Sequence, residues 1–327
     1  MDGHVDVVSD VLETMRFTTQ LFGRFELGAP WALRVPKKET SSFYVLARGS
    51  LRLRVEGVEP PLLLSAGDVV LVPQGAAHVL DDGSRRTLSP RDLLSPEQLR
   101  GPLLSPVRLG GEGPVSTLVV GCFRFSPGAH SPLIQAFPPA IHLPAHEPGA
   151  APWLAATVQL MTAESASPGP GSAIVLGRLA DVLLVHALRT RVTTTGPEGA
   201  GLRALADPHI GAALGLMHGR LAEPWTVESL AAAVGQSRSG FAARFHALVG
   251  EPPLQYLAGW RMTKAAQWLR ETDDSLPEIA ERVGYVSAVA FNKAFKRWHG
   301  LGPGAYRRAR DGGSNSPEAA GLPSASP

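Results

Sequence analysis

WTVESLAAAVGQSRSGFAARFHALVGEPP, residues 225–253, and SLPEIAERVGYVSAVAFNKAFKRWHGLGP, residues 275–303, are two copies of one design. In the first copy Thr226 is a good N-cap, and Val227, Leu230, Ala231 and Val234 form the apolar face of a short helix. Gly235 ends that helix, because a tight inter-helix turn needs a residue that tolerates positive φ. Ser237 then caps a second helix with Phe241, Phe245 and Leu248 inward and Arg238, Ser239, Ala242, Ala243 and His246 outward. In the second copy Ser275 caps, Ile279, Ala280 and Val283 face the core, and Gly284 makes the turn. Ser287 caps a helix with Phe291, Phe295 and Trp298 inward, leaving Ala288, Val289, Asn292, Lys293, Lys296 and Arg297 outside. Helix, glycine turn and a second helix with a polar outer face is the helix-turn-helix plan, whose second helix enters the major groove of DNA.

Between the copies, PLQYLAGWRMTKAAQWLRE (253–271) reads as one long amphipathic helix that would hold the two units at a fixed separation, roughly a DNA turn apart. Charge agrees. The net charge of the 327 residues is +2. Residues 1–206 hold 18 Lys/Arg against 18 Asp/Glu, residues 207–310 hold 13 against 9, and the tail adds Asp311 and Glu318 (0 + 4 − 2 = +2). The positive excess therefore lies in the region with the repeated motif, a modest footprint for an anionic partner.

Working outward, residues 16–83 alternate apolar and polar residues in short runs, such as FYVLARG (43–49), SLRLRVEG (50–57) and DVVLVPQG (68–75), punctuated by Gly and Pro. Many short strands imply a sandwich or barrel. Residues 84–116, with LSP recurring three times, read as a mobile insertion, and strand character resumes at VSTLVVGCFRF (115–125). Helical spacing follows in 153–161 and 172–190. The second helix is apolar on most of its circumference (Ile174, Leu176, Leu179, Val182, Leu183, Val185 and Leu188), so it packs on both sides, within its own domain or against a second copy. The expected architecture is multi-domain α+β: an N-terminal antiparallel β-barrel with trailing helices (1–192), a linker (193–206), an all-α domain with two helix-turn-helix units (207–310) and a disordered tail (311–327).

A hydrophobic fraction of 44% with 18% charged residues excludes a disordered chain, and no apolar run approaches the roughly 18 residues of a spanning helix. The acidic start MDGHVDVVSDVLETM lacks the pattern of a secretory signal, which points to the cytoplasm. Cys122, the one cysteine, excludes an internal disulfide and a multi-cysteine zinc site; set in an apolar strand, it reads as a buried, unreactive thiol.

Residues 207–310 resemble the DNA-binding domain of the AraC/XylS family of transcription regulators, with AERVGY…FNKAFKRWHGLGPGAYRR (280–308) following that family's C-terminal signature nearly throughout. The resemblance implies about seven helices, double-stranded DNA as partner through its major groove, and activation by contact with RNA polymerase. Contact positions carried over are Arg238, Ser239, Ala242 and Ala243 in the first unit and Ser287, Ala288, Val289, Asn292 and Lys293 in the second, with Arg244, Lys296 and Arg297 as phosphate or structural partners. The alanines and Val289 offer only apolar contact, for instance to a thymine methyl, leaving Arg238, Asn292 and Lys293 as hydrogen-bonding readers.

In the strand zone, Gly67 to His78 fits G-x5-P-x-G-x2-H and resembles the second motif of the cupin superfamily, a small antiparallel β-barrel into which His78 would point. Metal-dependent cupins add an earlier His-x-His and a Glu, yet residues 24–57 contain no histidine, so no metal or cofactor is expected and His78 reads first as a packing or hydrogen-bonding residue, then as a small-ligand contact and last as a metal ligand. His130, His142 and His146 lie among prolines and read as loop histidines. The wider front region resembles the cupin-type sensor domain that precedes the AraC-type unit in one group of these regulators, which implies a small-molecule or stress signal. The function expected is a sequence-specific DNA-binding transcription regulator, not an enzyme, and a homodimer is compatible with it. The alternatives are a cupin metalloenzyme with a DNA-binding appendage and a ligand-independent DNA-binding protein.

Overall fold

The computed structural model describes residues 6–7, 9–11, 17–84, 106–125, 137–146, 152–193 and 200–311. After the helical residues 7 and 9–11, the described residues hold ten strands: β1 (Phe17–Gly28), β2 (Ala32–Val35), β3 (Ser41–Arg48), β4 (Ser50–Val55), β5 (Leu62–Ser65), β6 (Val69–Val72), β7 (His78–Asp81), β8 (Val107–Gly110), β9 (Val115–Phe125) and β10 (Ile141–Leu143). They form a six-stranded sheet in the order β10-β6-β3-β9-β1-β8 and a four-stranded sheet in the order β2-β7-β4-β5. Pairing is antiparallel except between β1 and β8. Strand alternation divides the apolar residues between two cores. Tyr44, Leu46, Val70 and Leu118 of the larger sheet meet Leu51, Leu53, Leu64 and Leu80 of the smaller one inside the barrel. Phe43, Val45, Leu71, Val119 and Phe123 point the other way, onto a helix pair, α1 (Pro152–Ala166) and α2 (Ser172–Thr193).

α2 buries Leu176, Leu183 and Leu188 against the sheet, half-buries Leu179 and Val185, and leaves Ile174 and Val182 exposed. Residues 107–110, assigned from sequence to an insertion, are strand β8 at the sheet edge, with Val107 beside Phe25. Four residues among Pro and Gly gave no alternation to read. The rest of that stretch, 85–105, and the tail 312–327 lie outside the described residues.

The C-terminal unit is helical: α3 (Ala200–Ala206), α4 (Pro208–Gly219), α5 (Val227–Ala233), α6 (Arg238–Val249), α7 (Pro253–Glu271), α8 (Leu276–Arg282), α9 (Ala288–His299) and α10 (Pro303–Asp311). The expected linker therefore ends in a helix, and its Ala204 is wholly buried in the C-terminal core. The first residues also depart from the expected boundary, for Val7 and Val11 pack into that same core. Between them Asp10 accepts hydrogen bonds from Lys264 Nζ at 2.5 Å and from His218 Nδ1 at 2.7 Å. His218 stacks on Trp260 and accepts at Nε2 from the Tyr256 hydroxyl at 2.7 Å, the tautomer following from the network.

His78 lies on β7 and is buried inside the barrel, as its motif predicts. Its Nδ1 donates to the Ala76 carbonyl at 2.6 Å and its Nε2 accepts from the Tyr44 hydroxyl at 2.6 Å, so the ring ties the two sheets together. Both nitrogens are engaged. Burial, helped by the nearby Lys38 charge and partly offset by Ala76, pulls the His78 pKa down to about 4. His142 is a strand residue of β10 and not a loop histidine; it donates to the buried Asp68 at 3.1 Å. Cys122 is buried, and burial pushes its thiol pKa up, with Thr40 and Lys38 opposing in part. An unfolded His78 binds its proton below pH 6.5 and the folded one only below about 4. The unfolded chain thus holds more protons in that window, and stability falls as pH drops through it, by up to about 3 kcal/mol. His78→Gln, neutral at every pH, is expected to shrink the fall in Tm between pH 7 and 4.5; an equal fall in both proteins would contradict this account.

Candidate nucleic-acid interface

The two helix-turn-helix units are α5–α6 and α8–α9, built from matching local chemistry. Thr226 and Ser229 cap each other's backbone N–H groups at the start of α5, and Ser275 and Glu278 do the same at α8. Ser237 and Ser287 cap the recognition helices α6 and α9, accepting from Gly240 and Ala290 N–H. Gly235 and Gly284 hold φ of +68° and +78° in the turns, where a side chain is strained. Phe241 and Phe245 are fully buried with ring centroids 5.7 Å apart, and Phe291 and Phe295 repeat this at 5.6 Å. α7, 19 residues and so about 28 Å long, joins the units and buries Tyr256, Trp260, Ala265 and Leu269.

Burying the phenylalanines aims the other faces outward. Arg238, Ser239 and Ala243 on α6 are exposed and Ala242 is half-buried; Asn292, Lys293, Lys296 and Arg297 on α9 are exposed, as is Ser287, with Ala288 half-buried. Val289 is 67% exposed. Lys293, Lys296 and Arg297 have no ion-pair partner among the described residues. Arg238 Nε meets Glu228 Oε1 at 2.7 Å, both side chains open to solvent. Such a pair is screened and weak, so the guanidinium is free to exchange it for a base edge. Arg244 is differently placed. Its Nε donates to Asp207 Oδ2 at 2.7 Å, and Asp207 in turn caps α4 by accepting from His209 and Ile210 N–H. Partial burial would raise the Asp207 pKa, but Arg244 and these N–H groups more than reverse it. Arg244 thus braces the first unit against α4.

Two residues stand elsewhere than their spacing implied. Trp298 is 36% exposed at the edge of the core, its indole lying on α7 where Gly259 leaves room; a Cβ there would come within 2.6 Å of the ring. Leu248 is half-buried, and Val249 takes the inward position. Sequence reading also passed over Val286, which is wholly exposed just before α9; an apolar residue in a turn carries no periodic signal. Arg261 on α7 was missed too: it donates to the Leu221 and Glu223 carbonyls at 2.9 and 2.7 Å and fixes the turn between α4 and α5.

A cupin family model matches residues 6–193, and a helix-turn-helix domain model matches residues 230–309. A protein of Streptomyces lividans named as an AraC-like transcription regulator is 33% identical over 308 residues, covering 93% of this chain and 98% of that protein. The chain belongs to the AraC-like transcription regulators. The HTH-type transcriptional regulator MtrA of Neisseria gonorrhoeae is 30% identical over 306 residues, 91% of this chain and 98% of its own length. A solved structure of the DNA-binding domain of AdpA, the global transcriptional factor, in complex with a target DNA is 38% identical over 32% of this chain and 95% of that chain, with a TM-score of 0.31. Membership carries DNA binding through the helix-turn-helix domain behind a cupin-like sensor domain. Among the described residues no three His, Cys, Asp or Glu are grouped as a metal site needs, and no helix is long and apolar enough to cross a membrane.

The glycine turns supply a test of the interface's frame. A Cβ at Gly284 would lie 2.7 Å from Arg261 Nη2 and 2.8 Å from the Ala222 carbonyl oxygen, whereas Gly235 has open space around it. Gly235→Ala is expected to cost roughly 1–2 kcal/mol from the left-handed backbone alone, and Gly284→Ala distinctly more because Arg261 must also give way. Urea denaturation of both variants checks the order.

Proposed function

We propose that the chain activates transcription by laying α6 and α9 into successive major grooves on one face of the DNA. The observation that carries this is that each recognition helix buries a phenylalanine pair while its other face stays open, with Lys293, Lys296 and Arg297 on α9 in no ion pair among the described residues. Arg238, Asn292 and Lys293 read base edges by hydrogen bonds. Ala242, Ala243, Ala288 and Val289 offer methyl contacts to thymine, joined by Val286. Ser239 and Ser287 lie at the helix starts beside the readers, while Lys296 and Arg297 hold phosphates. Arg244 serves the fold first, through Asp207, with its exposed side at the backbone.

The N-terminal domain senses a small molecule or stress signal and has no catalytic role, and RNA polymerase is the partner in activation. The exposed Ile174, Val175 and Val182 on α2, with Leu160 on α1, support a homodimer through that helix pair. The work is done in the cytoplasm. Selection from random DNA by the full chain gives the operator sequence. Arg238→Ala is then expected to weaken operator binding and relax preference at one base pair by about 1–3 kcal/mol. Equal losses on operator and random DNA would exclude base reading by Arg238. Lys296→Ala should weaken all sequences alike and lower the salt slope by about one unit; a slope left intact would remove its phosphate contact.

A further inference from the structure

On the helix-facing side of the six-stranded sheet, apolar residues give way toward β8 to a charged recess of about 490 Å³. Its walls carry Arg24 and Glu26 on β1, Arg48 at the end of β3, Arg108 on β8 and Thr117 on β9. Three guanidiniums face one carboxylate, leaving two positive charges. Glu26 accepts from Arg24 Nε at 3.3 Å and from Arg108 Nε at 3.0 Å. Burial would push its pKa up, but Arg108 and Arg24 more than reverse this, so it stays ionised and holds both arginines in place. Glu112, in the turn after β8, is exposed and does not line the recess.

The informative atom is Arg24 Nη1. The Arg24 side chain is only 17% exposed, and this nitrogen has neither solvent contact nor a hydrogen-bond partner among the described residues. A charged N–H donor shut away from water is costly until an acceptor reaches it. The nearby Arg48 side chain is exposed, with no ion-pair partner among the described residues. At the floor β1 and β8 approach closely through glycine. A Cβ on Gly28 would lie 2.0 Å from the Gly111 carbonyl oxygen, and one on Gly110 2.1 Å from that of Gly28.

We propose that this recess binds a small organic anion by its carboxylate or phosphate group, with the exposed Arg48 and Arg108 as the first donors and Arg24 Nη1 meeting the remaining oxygens once its side chain turns into the recess. Planar guanidinium forks match the geometry of such oxyanions, and the volume falls in the range of small-molecule sites. The proposal rests on the sensing role given above to the N-terminal domain and supplies its ligand class and place, on the outer face of the sheet and away from His78 inside the barrel.

Calorimetric titration of the full chain with inorganic phosphate and with succinate, at ionic strength fixed with sodium chloride, tests it. Saturable binding of at least one anion is expected, with Arg24→Gln weakening it tenfold or more and Arg48→Gln several-fold; the anion that saturates at lower concentration tells phosphate from carboxylate recognition. Arg48→Gln alters an exposed side chain, so its Tm should match the parent and its binding loss remains interpretable if Arg24→Gln unfolds. No saturable heat beyond chloride, or equal affinity in parent and Arg48→Gln, overturns the site. Operator binding weakened by Arg48→Gln with no anion present would make the arginines a DNA contact and also overturn it. If phosphate binds as expected but leaves operator affinity unchanged at saturation, the sensing role falls while the site stands.

Discussion

The interface depends on aromatic side chains buried on either side of one helix. Phe241 and Phe245 of α6, and Phe291 and Phe295 of α9, lose essentially all contact with water, and each contributes roughly 1.5–3 kcal/mol by burial. A helix whose apolar stripe is fixed in this way has no freedom to rotate about its axis, so its opposite face is fixed too. The direction of the outward-facing residues is thus set by side chains buried on the opposite side of each helix. α7 extends the constraint: Phe245 meets Tyr256 edge-on at 5.8 Å, and Gly259 admits the indole of Trp298, so both units are referred to one rod.

The two units are not equivalent in charge. On α6, Arg238 and Arg244 already have carboxylate partners in Glu228 and Asp207, whereas on α9 Lys293, Lys296 and Arg297 stand open. The first unit is tied into its surroundings, through Asp207 to α4. The second carries the free positive charge that long-range attraction to phosphates requires. At the other end of the chain, the N-terminal segment is bound into the same core through Val7, Val11 and the Asp10–His218 contact, and Phe125 and Leu205 touch both the helix-pair core and the C-terminal core. The sensor and the DNA-binding domain therefore share packed surfaces, the physical means by which a ligand at one could bias the other.

Local chemistry was legible wherever it repeats at short range. Caps at Thr226, Ser237, Ser275 and Ser287, turns at Gly235 and Gly284, and the buried phenylalanines all follow from spacing within a dozen residues, and the structure has each of them as read. The cupin motif likewise placed His78 inside the barrel. What was not legible lacked a local period. β8 is four residues among breakers, α3 follows a linker-like stretch, and His142 sits on a three-residue strand between prolines.

By itself the sequence determined two recognition helices, the barrel ahead of them and the identity of the outward residues, because caps, glycine turns and apolar period act over a few residues each. Only the tertiary structure decided which of those residues are already engaged, as Arg244 is by Asp207 across 37 positions, and that Arg24, Arg48 and Arg108 meet around Glu26 in a recess. Those encounters join segments far apart in the chain through strand register and helix packing, and no property of the separate segments announces them.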